Sequence, residues 1–207
     1  MKKTIINTKR SKGRPPSIDH TAALDAAVLT FWEHGYDGAS LTDLTQAMKL
    51  SRPSLYAGFG DKSDLFIASL ERYDKTIGCN SVKAFEKVAC IKEAVRAFLH
   101  ASIESNTGAG RPSGCLFASS ASTMAESNLD VRKLLRKILK QSEQRLTQRF
   151  AAELKSGVLP KEPAPSARAA LMIDLMSAQA IRARSGESRK ELLAGLDARV
   201  AAVLASR

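Results

Sequence analysis

The sequence predicts an all-α protein made of a small N-terminal helical domain followed by a larger helical domain. Apolar residues recur at intervals of three and four along most of the chain, which is the period of an amphipathic helix rather than of a strand. Hydrophobic residues make up 44% of the 207 residues, but aromatic residues, which strands favour, only 5%. A chain of this length can bury a substantial core and has room for both domains.

The charge balance favours a polyanionic partner. The formal net charge is +11 and the pI about 9.8. Such a charge favours nucleic acid as the binding partner over an acidic membrane surface. No run approaches the roughly 18 apolar residues of a membrane helix, and the basic N-terminus is not followed by the apolar core of a signal peptide. We therefore expect a cytoplasmic protein with no membrane partner.

Residues 1–17 are predicted to form a flexible basic arm. They include six basic residues and no acidic one, and they have too few apolar side chains to order the segment. The segment is either a solubilising tail or an arm that follows DNA phosphates or enters a minor groove. The motif described below favours the arm, with Arg14 as the candidate DNA contact.

The first helix is predicted to begin after Asp19, which can cap it, and to end at Gly35. Trp32 and Tyr36 are expected in or near the core. His20 lies in the first turn, where it either meets a DNA phosphate or is simply exposed. The apolar residues at helical spacing are Leu24, Ala27, Val28 and Phe31.

A helix-turn-helix motif follows. Ser40 and Asp43 have the spacing of a helix N-terminus, and the pattern predicts a short helix over about 41–49. Ser51 can cap a second helix, and Pro53 lies in its first turn, where the missing N–H costs little. Because the connection is so short, the two helices must cross steeply, as in motifs that set the second helix in a DNA major groove.

The second helix and the turn after it resemble those of TetR-type transcriptional regulators. The run from Leu55 to Lys62 matches the family's LY-x-x-F-x-x-K pattern, and the segments Gly35-Tyr36 and Ser40-Leu41-Thr42 resemble its approach to the motif. The resemblance covers residues 14–75, about a third of the chain. It implies a DNA-binding head over residues 18–62 and an effector-binding and dimerisation domain over residues 63–207.

Five side chains of this motif are candidate DNA contacts. Arg52, at the start of the second helix, has a planar group with five donors that suits guanine or a phosphate. Ser54 can bond a base edge or a backbone oxygen. The resemblance implies phosphate contacts for Thr42, Tyr56 and Lys62.

Ala57 and Gly58 occupy two positions of the same helix where many relatives carry aromatic or histidine side chains. We count them in the DNA-binding surface, because small residues permit a close backbone approach. Since two base-reading side chains are absent, the operator sequence is not predictable from this helix.

The rest of the chain predicts further helices. Asp61 can cap the next one, a break is expected at 78–81, and glycine and proline predict loops over 107–114 and 160–165. Helices are expected over about 82–105, 115–125, 129–154, 166–183 and 188–204, and an interruption of the first of these near Val88 is the alternative. The resemblance implies that the last two meet their copies in a dimeric four-helix bundle.

The helix expected over 129–154 carries basic residues from Arg132 to Arg149 opposite its apolar stripe. Such a face is usually solvated, and a second contact with DNA or a membrane is the alternative.

The larger domain holds candidate residues for an effector pocket. Gly114-Cys115-Leu116 resembles a GCL sequence that a subset of TetR-type proteins carries at this place. Cys115 is interpreted as a buried small hydrophobe, and a thiol that senses an electrophile or a metal is the alternative. The pocket candidates are Phe98, His100, Cys115, Phe117, Met124 and Met172.

The predicted function is a homodimeric transcriptional regulator, a repressor rather than an activator, that binds a palindromic operator and is released by a small-molecule effector. The alternatives are a sequence-blind DNA-binding or scaffold protein and a regulator that senses thiol chemistry through Cys115. An enzyme is not predicted, because the chain lacks local Ser/His/Asp signatures, a phosphate-binding glycine loop and an H-E-x-x-H motif. No cofactor or metal site is expected, since the three cysteines lack C-x-x-C spacing.

Overall fold

The computed structural model describes residues 19–205, which form helices and connecting turns. Two π-helical segments occur among them, Asp74–Gly78 and Phe117–Ala121, here called the first and second π-segments. The α-helices of these residues are α1 (His20–Gly38), α2 (Leu41–Met48), α3 (Arg52–Phe59), α4 (Lys62–Tyr73), α5 (Asn80–Glu86), α6 (Ile91–Thr107), α7 (Ser122–Ser127), α8 (Leu129–Lys155), α9 (Pro165–Arg184), α10 (Arg189–Ala194) and α11 (Leu196–Leu204).

The first four helices begin where the sequence predicts, because each is capped by a side chain. The oxygens of Asp19, Ser40, Ser51 and Asp61 accept backbone N–H groups of the following turn. Before α2 and α4 the third helical residue also accepts the backbone N–H of the cap residue, so two free donors are satisfied at each start. Gly35, with φ of 73°, interrupts α1 at the predicted position, and one further turn follows it.

Three predictions for the larger domain differ from the structure. The helix expected at 82–105 is divided into α5 and α6, and residues 87–90 between them belong to neither helix. The helix expected at 188–204 is divided into α10 and α11 at Gly195. The helix expected at 115–125 consists of the second π-segment followed by α7. A π-turn holds more residues than an α-turn, and side-chain spacing does not distinguish the two over so short a stretch.

The core of the head continues into the larger domain. Phe31, Leu44 and Phe66, all fully buried, form one apolar cluster together with Leu116 and Val131, which belong to the larger domain. A second cluster lies within the larger domain and joins α5, α6, α8, α9 and α11. Its largest side chains are Phe85, Phe98, Phe150 and Met172.

Hydrogen bonds from two elements of the larger domain also reach α1 of the head. The backbone N–H of Tyr36 donates to Oγ of Ser120 in the second π-segment at 3.1 Å, and the guanidinium of Arg184 in α9 donates to the carbonyls of Trp32 and Glu33 at 3.2 and 2.9 Å. Within the larger domain, Nδ2 of Asn128 at the start of α8 donates to Oγ of Ser63 in α4 at 3.0 Å. The orientation of the head is thus tied to the second π-segment and to α9.

The basic face of α8 is partly used within the chain. Arg145 pairs with Glu86, and Arg149 pairs with Glu153 at 2.7 Å. Arg132 donates to two backbone carbonyls at the end of α7. The exposed basic side chains that remain near the middle of the helix are Arg136, Lys137 and Lys140. Among residues 19–205, none of the helices is long and apolar enough to cross a membrane.

Candidate nucleic-acid interface

The turn between α2 and α3 is held by its backbone. Lys49 adopts the left-handed conformation with φ of 55°, and the N–H of Leu50 donates to the carbonyl of Thr45 at 3.0 Å. Oγ of Ser51 then accepts the N–H of Ser54 at 3.2 Å and starts α3. The reversal therefore takes only the residues between Met48 and Arg52, which confirms the tight turn predicted.

Helix α3 is anchored by two apolar side chains and presents its other face to solvent. Leu55 is fully buried in the core of the head and Phe59 packs half-buried against the same cluster, while 48% of Tyr56 is exposed. Ala57 and Gly58 are exposed beside it. The helix therefore offers a free face of the kind that enters a major groove.

Arg52 and Thr42 meet on this face. Nη2 of Arg52 donates to Oγ1 of Thr42 at 3.1 Å, and both residues are exposed. The contact joins the first turns of α2 and α3, so it fixes the guanidinium at the starts of both helices. The structure thus brings together two of the predicted DNA contacts, and most donors of the guanidinium stay free for a ligand.

Ser54 has a different environment from the one its chemistry suggested. It is half-buried, and its Oγ lies 2.8 Å from Oγ of Ser51, the cap of α3. The hydroxyl therefore belongs to the helix start, where it adds to the cap.

Lys62 is the first residue of α4, and its Nζ lies 4.6 Å from the centre of the Tyr36 ring. An ammonium over an aromatic face is attracted by the ring quadrupole. The pKa of Tyr36 is raised above its ordinary value, first by burial and then by the nearby carboxylates of Asp61 and Asp37. Tyr36 therefore stays neutral and holds the lysine beside the motif.

His20 lies against α3, a placement that sequence reasoning did not decide. Its ring centre is 5.2 Å from that of Phe59, and a Cβ added at Gly58 would lie 3.1 Å from its Cε1. A side chain at Gly58 would therefore need the His20 ring to shift by a few tenths of an ångström. His20 thereby joins the candidate surface. Arg14 and the predicted arm lie outside the described residues.

Two comparisons bear on this motif. Residues 23–69 match the family described as "Bacterial regulatory proteins, tetR family". Over 186 residues the chain is 30% identical to the HTH-type transcriptional repressor ComR of Escherichia coli (strain K12), and the match covers 89% of each protein. The chain belongs to the TetR family.

Solved structures agree with this assignment. A cysteine mutant of the TetR family transcriptional regulator CifR, complexed with a 26 bp double-strand operator DNA, is 29% identical to this TetR-family chain, with a TM-score of 0.83. The match covers 91% of this chain and 99% of that one. A TetR-family regulator from Cytophaga hutchinsonii, 18% identical, covers 89% of this chain and 94% of its own with a TM-score of 0.75, and it supports the fold.

The predicted class is therefore confirmed. The TetR-family protein is all-α, with an N-terminal helix-turn-helix domain and a larger helical domain, and it is a DNA-binding transcriptional regulator rather than an enzyme. The resemblance to a GCL subset and the individual DNA contacts stay predictions.

The larger domain of this TetR-family chain contains a cavity of about 310 Å³. Of the six predicted pocket residues, Cys115 and Phe117 line it. Cys115 is half-buried rather than fully buried, and Oη of Tyr73, another lining residue, donates to its Sγ at 3.4 Å. Tyr73 was not among the pocket candidates, because an apolar helical pattern does not show which buried side chain borders a void.

The other four pocket candidates do not line this cavity. Phe98 and Met172 are fully buried in the second cluster, where they fill the space between helices. Met124 packs at the edge of the first cluster. His100 is exposed on the outside of α6, with Nε2 3.6 Å from Oε1 of Glu104.

Proposed function

We propose that this protein is a homodimeric repressor, that α3 and the basic N-terminal arm bind a palindromic operator, and that a small molecule in the cavity releases it. The observation that carries the proposal is the exposed pairing of Arg52 with Thr42, because it places a free guanidinium and two helix starts on one face. Two relatives support the same function: ComR is a transcriptional repressor, and the structure of CifR was solved with operator DNA. Action on DNA in a bacterium makes a cytoplasmic location part of the proposal.

The proposed dimer face consists of small residues of the last helices. Leu192, Leu196, Val200 and Val203 are buried within the chain, in contact with α6 and α9, so they are not available to a partner. The outward face of α9 to α11 is instead rich in small residues that let helices approach closely. The exposed alanines are Ala167, Ala178, Ala194, Ala198, Ala201 and Ala202.

A charge on that face tests the dimer. Ala198→Glu combined with Ala201→Glu places two carboxylates where two copies would meet, and Ala151→Glu combined with Ala152→Glu on the exposed side of α8 is the control. We expect light scattering to show half the native mass for the first variant and the native mass for the second. An unchanged mass for both would place the interface elsewhere.

Operator binding is tested by fluorescence anisotropy across a salt series, with DNA from upstream of the protein's own gene and scrambled DNA of equal length. We expect saturable binding to the native DNA at two protomers or a multiple per site. Loss of selectivity at every salt concentration would favour a sequence-blind DNA-binding protein, whose affinity depends on salt but not on sequence.

A further inference from the structure

We propose that the cavity of the larger domain binds an uncharged, mostly apolar molecule that carries one hydroxyl or carbonyl group. The inference rests on the proposed function, in which a small molecule in this cavity acts as effector, and it names the chemical class of that molecule. Four observations support it: the size of the cavity, the absence of charge on its wall, its apolar side chains and one buried polar pair.

The cavity has the size of a site for a small organic molecule. Its volume of about 310 Å³ is at the lower end of the range that ligand sites show. Its walls come from α4 to α9, the two π-segments and Cys115, so it is formed by one chain.

The wall of the cavity carries no charged side chain. Among the described residues that line it there is no Lys, Arg, Asp, Glu or His. Asp74 belongs to the first π-segment but is not one of the lining residues. The cavity opens to solvent beside Leu139 and Ile181, which are 37% and 63% exposed. An ionised group bound away from this opening would lose part of its hydration without gaining a counter-charge, which is unfavourable. The cavity therefore favours a neutral ligand over an anion or a cation.

Much of the wall of the cavity is apolar. Its apolar side chains include Leu135 and Leu139 of α8, Met176 and Ile181 of α9, and Phe117 of the second π-segment. Flexible methionine and aliphatic side chains bind hydrocarbon without directional contacts. The ligand therefore has a hydrocarbon body.

One buried polar pair of the wall lies on α6. Nδ2 of Asn106 donates to Oγ of Ser102 at 3.3 Å, and the two residues are only 3% and 2% exposed. That bond leaves the amide oxygen and a second N–H of Asn106 for a bound molecule. Three other lining groups already donate within the chain: the hydroxyls of Ser122 and Ser177 to backbone carbonyls, and Oη of Tyr73 to Sγ of Cys115. The amide of Asn106 is thus a buried polar anchor that suits a hydroxyl or carbonyl group, with the hydroxyls of Ser81 and Ser105 on the same wall.

The test uses isothermal titration calorimetry of the full chain at neutral pH, without DNA. The probes are two matched sets that differ within each set only in the charged or neutral end group: 1-hexanol, hexanoate and hexylammonium, and benzyl alcohol, benzoate and benzylammonium. Ser105→Phe and Ser122→Phe fill the cavity, since both serines line it. Ser127→Phe, exposed on the same helix as Ser122, is the control.

We expect the alcohols to bind at least tenfold more tightly than their ionised analogues, and either filling variant to abolish that binding while the control keeps it. Asn106→Ala is expected to weaken the binding of 1-hexanol roughly tenfold or less, which is the effect of losing one hydrogen bond. Equal or tighter binding of an ionised probe, binding that survives both filling variants, or no binding of either alcohol would overturn the proposal. Operator binding by the wild-type chain, measured separately by anisotropy, shows whether the regulator itself or only its ligand class has failed.

Discussion

The backbone N–H of Tyr36 donates to Oγ of Ser120 at 3.1 Å, across 84 positions of the chain. Tyr36 stands at the end of α1, the first helix of the head, and Ser120 belongs to the second π-segment, whose Phe117 and Ala118 line the cavity. A parallel contact runs through Tyr73, whose ring meets Phe117 edge-on at 5.0 Å and Trp32 of α1 at 5.0 Å. The wall of the cavity and the first helix of the head are thus in direct contact.

The Tyr36–Ser120 bond is expected to stabilise the junction. Ser120→Ala leaves a partly buried backbone N–H without its partner, so we expect the free energy of unfolding to fall by about 1–3 kcal/mol in urea titrations. Ser119→Ala is the matched control, because the buried Oγ of Ser119 has no hydrogen-bond partner. Removal of this hydroxyl is expected to leave the free energy of unfolding unchanged or to raise it slightly. Equal losses for both variants would show that the bond has no specific role.

Arg52 is expected to serve DNA binding without serving stability. Its side chain is exposed, so Arg52→Ala should leave the melting temperature nearly unchanged while operator affinity falls roughly tenfold or more and discrimination against scrambled DNA is lost. Arg136→Ala on the exposed face of α8 is the control for removal of one positive charge. A large fall in melting temperature for Arg52→Ala would instead make the residue structural.

Arg184 is expected to fix the end of α9 to the head. Its Nη1 donates to the carbonyl of Trp32 at 3.2 Å and its Nη2 to that of Glu33 at 2.9 Å. Arg184→Ala leaves those carbonyls without this donor, and we expect a loss of about 2 kcal/mol with faster hydrogen exchange at the end of α1. The control Arg182→Ala removes an exposed ion pair with Glu187. We expect it to lower the free energy of unfolding by only about 0–1 kcal/mol. Similar exchange at α1 in both variants would contradict the role given to Arg184.

Tyr73 is expected to make the fold sensitive to alkali. Burial, followed by the nearby Cys115, raises its pKa well above the ordinary value of 10.0. The folded state therefore favours the neutral phenol, and the stability it contributes is present below pH 10 and is lost as the pH rises above that value. The loss has a slope of roughly 1.4 kcal/mol per pH unit.

Urea midpoints measured from pH about 8 to about 11 test this. Tyr73→Phe is expected to reduce the alkaline decline, whereas Tyr56→Phe, at an exposed position, keeps it. Part of the decline remains in Tyr73→Phe, because burial also raises the pKa of Tyr36. An identical decline in all three proteins would contradict the assignment to Tyr73.

The helices of the head could be predicted closely because neighbouring residues determine where each helix begins. Cap residues such as Asp19, Ser40 and Asp61 bond to the turn that follows them, so a few neighbouring residues fix each start. The role of Ser54 in the cap and the contact of His20 with Gly58 were not predictable, because the first needs the side-chain geometry and the second joins residues distant in sequence.

The cavity was less predictable than the head. Phe98 and Met172 have the spacing of buried residues, and they are buried, but packing fills the space around them. Asn106 and Ser102, which give the cavity its polar anchor, lie on a helix whose pattern shows only which side faces inward. Whether an inward face meets another helix or a void depends on the volumes of all the surrounding side chains.

The apolar cluster that joins the head to Leu116, Ala121 and Val131 limits how such regulators can be recombined. A chimera cut at residue 62 would put foreign side chains against half of a packed interface, and close packing tolerates little change of volume. A head exchanged between relatives would therefore need to carry the facing residues of the second π-segment and of the first turn of α8 with it. Operator specificity and ligand specificity could then not be exchanged independently, because both domains depend on the same packed interface.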